Sequence, residues 1–120
     1  MFAHDLHVIL AVVSTVGAIM AGVEAAVRAV LRRPPGRTSG AISAIAVIAL
    51  GMTAAGGLAM LVRGERPNES LHFVYAGLAF VLLPLGDSLA THAEPRRRAA
   101  VRLLAAVLTL GVIARLFATG

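Results

Sequence analysis

Two histidines are the residues of this chain best placed to do chemistry. His7 and His72 each follow a leucine, and each stands at the start of a long stretch without charged side chains. Imidazole is the commonest metal ligand in proteins, and it also takes up and releases protons near neutral pH. The pattern therefore predicts a site at which two helices hold one ligand between two imidazole rings.

Four apolar runs must position this pair, at about residues 8–28, 41–62, 71–91 and 99–118. Each run has about the 20 residues needed to cross a hydrocarbon core about 30 Å thick. The second run contains no charged residue, whereas a soluble bundle needs a polar stripe along each helix. We therefore predict an all-α fold, with residues 1–120 forming one integral membrane, antiparallel four-helix up-and-down bundle.

The arginines predict the orientation of this bundle in a cell membrane. All 11 basic residues are arginine, and loops rich in arginine face the cytoplasm. A multi-pass protein with both termini on the external side is therefore expected, and the net charge of +5 needs no nucleic acid to explain it. Residues 1–7 lack the basic start of a cleaved signal peptide, so the first helix is expected to remain. The first and third connections hold Arg28, Arg32, Arg33, Arg37, Arg96, Arg97, Arg98 and Arg102, against Arg63, Arg66 and Arg115 on the other face.

The two halves of the chain resemble each other weakly. Leu6–Arg63 and Leu71–Arg115 each begin with Leu-His, continue to an acidic residue, Glu24 or Asp87, and then reach an arginine cluster. Parallel repeats of this kind are related by an axis along the membrane normal. The pattern predicts a pseudo-two-fold hairpin repeat that relates helices one and three.

Small residues line the helix face beneath each histidine. Such faces let helices approach closely within a bilayer, and two interpretations follow. Either helices one and three touch along these faces, or the faces leave room for a flat macrocycle, a b-type heme whose iron both histidines ligate. The positive end of each helix dipole would keep both rings neutral. At 100° per residue the positions are Ala11, Ser14, Ala18, Ala21 and Ala25 below His7, and Ala76, Ala79, Leu83, Gly86 and Ala90 below His72.

Other polar residues near the histidines offer further candidates. The chain has no cysteine, so any cofactor is held without a thioether link. Tyr75 can donate a hydrogen bond to a carboxylate or to a quinone carbonyl, or it can anchor the helix at the membrane interface. His4 and Asp5 with His7 make a weak candidate site for copper or zinc.

The acidic residues Glu24 and Asp87 form an interior pair on helices one and three. Ionisable groups inside a membrane usually have a function, here a proton or cation relay. The favoured interpretation is structural, because Arg28 and Arg102 lie at the same depth and can form ion pairs with them.

Two short segments resemble the heme A synthase superfamily. Residues 69–72, Glu-Ser-Leu-His, are similar to its Glu-x-x-His motif, and residues 111–120 are similar to its Gly-x-x-x-Arg segment followed by Thr-Gly. Members of that family look like two fused four-helix bundles, of which this chain would match one. Phe73 replaces the family's arginine, and the family's cysteine pair is missing. The resemblance implies a heme-binding site at His7 and His72, with Glu69 and Arg115 beside it, but it does not imply the synthase reaction.

The leading functional hypothesis is a b-type heme protein of the membrane, for electron transfer or heme handling near the outer surface. A quinone is a further ligand, and a respiratory complex or a second copy of the chain is the expected partner. One alternative is a non-catalytic accessory subunit of a membrane complex, which packs by its small-residue faces. Another is a small proton-coupled transporter that uses Glu24. No nucleophile with a positioned base and no phosphate loop is evident, so a hydrolase or transferase is not expected.

Overall fold

Four helices make up the fold in a computed structural model that describes residues 2–119, apart from the side chain of Ala3. The helices are α1 (Phe2–Val30), α2 (Arg37–Val62), α3 (Leu71–His92) and α4 (Arg98–Thr119), and no strand occurs among the described residues. All four are long and apolar enough to cross a membrane. The prediction of an all-helical four-helix architecture is confirmed.

The first helix begins earlier than the apolar pattern predicts. Phe2–His7 contains no helix breaker, and Asp5 in the first turn complements the positive end of the helix dipole. His7 consequently lies in the second turn of α1 rather than at its start. The dipole effect fades within one turn, so it acts on His72, the second residue of α3, and the expectation for His7 is wrong.

The helices form a square in which each contacts its two neighbours. α1 packs against α2 and α4, and α3 packs against the same two helices, whereas α1 and α3 are diagonal and do not contact each other. Short connections place consecutive helices side by side, and the contact of α4 with α1 closes the square, so that α1 stands opposite α3. The interpretation that α1 and α3 touch is therefore wrong. The smallest of the four interfaces is that between α2 and α3.

The interior of the bundle is built mainly from small residues, while most large apolar side chains face outward. The faces beneath the histidines are buried as predicted, except Ala11 and Ala76, which are only half-buried. A Cβ atom added to Gly86 would collide with the Cβ of Ala105, which shows how closely α3 and α4 pack. Close packing of small faces beneath a surface of valine, leucine and isoleucine is typical of helices in lipid.

The bundle has two distinct ends. The arginine end holds the loops 31–36 and 93–97, and the termini end holds the start of α1 and α3 and the end of α2 and α4. α2 stops in a Schellman motif, in which Gly64 has φ +87° and its N–H donates to Leu61 O at 3.0 Å. The N–H of Glu65 donates to Met60 O at 3.1 Å. Glycine is suited to this left-handed position, and the motif turns the α2–α3 connection back at the termini end.

Candidate functional site

A cavity of about 450 Å³ lies between the helices at the termini end. His7 and His72 both line it, and all four helices contribute to its wall. Its volume falls within the roughly 300–1,000 Å³ of small-molecule sites, and its wall is mostly apolar, as in such sites. The structure thus brings the two predicted residues to one chamber.

Two small residues make room beneath the rings. Ala11 lies one turn below His7 and Ala76 one turn below His72, and both line the cavity. Ala11 and Ala76 are only half-buried because they border the cavity. Residues deeper on the same faces, such as Ser14, are covered by neighbouring helices and are buried. Leu50 and Ala79 also line the cavity and are themselves buried. The small-residue faces therefore open into a chamber at one end and pack tightly below it.

The ring of His72 is oriented by α4. Its Nδ1 lies 3.3 Å from the Oγ1 of Thr119, and that hydroxyl donates its own proton to Arg115 O at 2.9 Å. With the single hydroxyl proton given to Arg115 O, we assign Nδ1 as the donor to Oγ1, and a neutral ring in this tautomer carries its lone pair on Nε2. An orientation of this kind prepares a histidine to ligate a metal through Nε2.

The ring of His7 is held differently, against two glycines of α2. A Cβ atom at Gly57 would lie 3.3 Å from its Cε1, and one at Gly56 would lie 3.5 Å from its Nδ1. That Nδ1 is buried without a hydrogen-bond partner among the described residues. Nothing in this part of the chain fixes the tautomer of His7, so His72 is the better-prepared ligand of the two.

Three further residues were expected beside the histidines, but none of them lines the cavity: Glu69, Tyr75 and Arg115. The guanidinium of Arg115 lies over the ring of Tyr75, 5.6 Å from its centroid. Tyr75 follows His72 by about one turn on nearly the same face of α3, but it packs toward Arg115 of α4 and does not line the cavity. Glu69 is exposed, and its backbone carbonyl accepts a hydrogen bond of 3.1 Å from the N–H of His72.

The cavity wall contains polar residues that the sequence pattern does not place there. His4, Glu65 and Arg66 line the wall, whereas the sequence predicts for Arg66 only a contribution to membrane orientation. Among the described residues no group of three or more His, Asp or Glu side chains is arranged to hold a metal ion. The candidate metal site at His4, Asp5 and His7 therefore does not form.

A second polar cluster lies near the arginine end and joins all four helices. Its centre is Arg102 of α4, which is 8% exposed and donates from Nε to Asp87 of α3 at 2.7 Å. Its Nη1 lies 3.5 Å from Glu24 of α1, and its Nη2 donates to Ser39 O at 2.8 Å and to Ser43 Oγ at 2.6 Å, both on α2. The ion pairs expected from the sequence are present, while the two serines were missed.

Glu24 and Asp87 each accept hydrogen bonds from both an arginine and a serine within this cluster. Glu24 also pairs with Arg28 and accepts a hydrogen bond of 2.5 Å from Ser39 Oγ. Asp87 accepts a further hydrogen bond of 3.4 Å from Ser43 Oγ. These contacts agree with the structural interpretation of Glu24 and Asp87, because each carboxylate is paired with an arginine, and charged groups inside a membrane pair with one another.

No protein-family model, curated protein or solved structure matches the chain. The likeness to the heme A synthase superfamily therefore stays a similarity of two short segments, and the functional argument depends on the cavity.

Proposed function

We propose that this chain is an integral membrane protein that binds one b-type heme without a covalent link, in the cavity between α1 and α3, for electron transfer or heme handling. The observation that carries the proposal is the convergence of His7 and His72, from diagonal helices, on one apolar cavity of about 450 Å³. Insertion in the membrane is supported by four apolar helices and by the large apolar side chains on the outside of the bundle.

Diagonal helices suit ligation by two histidines. His7 of α1 and His72 of α3 would hold the heme from opposite sides of the bundle, and α1 and α3 make no contact that would close the space between them. Ala11 and Ala76 leave apolar space next to both rings. Bound heme supplies one-electron chemistry, whereas these residues supply axial ligands, orientation and shielding from water.

The arginine bias supports an orientation with both termini outside, which brings the cavity near the outer surface of the cell membrane. The hairpin repeat is supported by the contacts of the two rings. His7 contacts Gly56 and Gly57 of α2, and His72 contacts Thr119 of α4, so each histidine rests on the second helix of its own hairpin.

The absorption spectrum of the purified protein tests the proposal directly. Protein extracted in detergent from heme-replete cells is expected to show a Soret band, and sharp α and β bands after reduction, typical of iron with two histidine ligands. A colourless preparation that binds no added heme would contradict the proposal. Colourless protein that copurifies with a larger membrane complex would favour the accessory-subunit alternative.

Filling the cavity is expected to displace the heme without removing a ligand. In Ala76→Leu the added carbons occupy the space beside His72, and overpacking of this kind costs about 1–3 kcal/mol, which lowers heme affinity by about fivefold to about a hundredfold. The matched control is Ala114→Leu, because Ala114 is exposed on α4 near the same end. Heme titration followed at the Soret band measures both variants, and equal affinities would show that heme lies elsewhere.

A further inference from the structure

An arginine lies at the rim of the cavity, and we propose that it binds the carboxylates of the ligand. This inference rests on the proposed function: Arg66 would hold the propionate groups, and the heme would lie with its propionate edge at the termini end. Among the described residues Arg66 is the one arginine that lines the cavity. The remaining wall is largely apolar, and among the described lining residues Arg66 is the one side chain that is always positively charged.

The backbone explains why Arg66 reaches this position. The Schellman motif at Gly64 reverses the chain directly after α2, and the following Pro67 restricts Arg66 to an extended conformation. The α2–α3 connection therefore runs along the edge of the cavity, where Glu65, Arg66 and Pro67 all line the wall while Glu65 and Arg66 remain exposed to solvent.

The guanidinium of Arg66 is available for a ligand. The ion pairs of the described residues involve Arg28, Arg97 and Arg102, and none includes Arg66. Glu65 lines the same rim and lowers its net charge. Attraction of a carboxylate consequently depends on the planar fork of the guanidinium, which matches two carboxylate oxygens, more than on the overall charge of the rim.

This arrangement indicates the chemical class of the ligand. An apolar chamber lined by His7, His72 and His4, with Arg66 outside every ion pair of the described residues, suits a flat apolar molecule with carboxylates along one edge. Protoheme has this form, since both of its propionates project from the same edge of the ring. A quinone offers no carboxylate, so Arg66 favours heme over a quinone.

A titration with two hemes tests the role of Arg66. The full chain in detergent is titrated with protoheme and with protoheme dimethyl ester, whose carboxylates are blocked. We expect Arg66→Gln to weaken protoheme binding about fivefold, the size of an exposed ion pair of about 1 kcal/mol, and to leave ester binding unchanged. Arg63→Gln is the matched control, because Arg63 is an exposed arginine at the same end that does not line the cavity.

The outcomes separate this inference from the proposed function. An equal loss for both hemes would mean that Arg66 supports the fold rather than the propionates, and unchanged protoheme affinity would exclude the contact. Either result overturns the role of Arg66 while heme binding by the wild type stands. A wild type that binds neither heme overturns the proposed function, and this inference with it.

Discussion

Replacing Arg102 with leucine is expected to destabilise the bundle by about 3 kcal/mol or more. Removing one partner of a buried ion pair typically costs about 3–5 kcal/mol, because the remaining charge is left unpaired. Asp87 would keep only a hydrogen bond of 3.4 Å from Ser43, while Glu24 would keep Arg28 and Ser39. The side chain of Asp87 is 37% exposed, so the lower part of this range is expected.

The loss of stability in Arg102→Leu is measured as a shift in the midpoint of SDS-induced unfolding in mixed micelles, followed by circular dichroism. Arg97→Leu is the control: its partner is Glu94, the two side chains are 77% and 76% exposed, and such pairs contribute less than about 1 kcal/mol. Arg102→Lys is expected to be intermediate, because lysine keeps the charge but not the guanidinium fork that reaches three helices. If Arg102→Leu unfolds at the same midpoint as Arg97→Leu, the cluster does not stabilise the fold.

Replacing His72 with alanine is expected to abolish the Soret band. His72 has its Nδ1–H held by Thr119, so its Nε2 is the better-prepared iron ligand. His7→Ala is expected to be milder, with residual high-spin heme ligated by His72 alone, because no described acceptor orients the ring of His7. The absorption spectrum and the heme content per protein distinguish these results.

Two controls separate loss of a ligand from loss of the fold. His92→Ala removes an exposed imidazole at the arginine end, which interacts with Ser88 O at 2.9 Å, and it is expected to keep its full heme content. Added imidazole is expected to take the place of the missing ring in His72→Ala, because the cavity remains. The spectrum should then again be that of iron with two imidazole ligands. A normal spectrum in His72→Ala without imidazole would mean that another residue ligates the iron.

Much of the fold follows from local properties of the sequence. The four helices appear where hydrophobic length predicts them, and the faces beneath the histidines are buried because a period of 3.6 residues places small side chains on one side. The ion pairs of Glu24 and Asp87 were also predictable, since charges within a membrane need partners. The start of α1 was placed too late, because hydropathy marks the apolar core of a helix and not its capped end.

The tertiary structure alone decided which helices meet and what surrounds each ring. The sequence determined that two imidazoles head small-residue faces within four apolar helices, but not that α1 and α3 are diagonal. Thr119 beside His72 and the glycines beside His7 come from segments far away in the chain. Arg66 is close to His72 in the sequence, but it lines the cavity only because the chain reverses at Gly64. Periodicity fixes the face on which a residue lies, whereas its neighbours depend on how the helices pack and where each loop turns back.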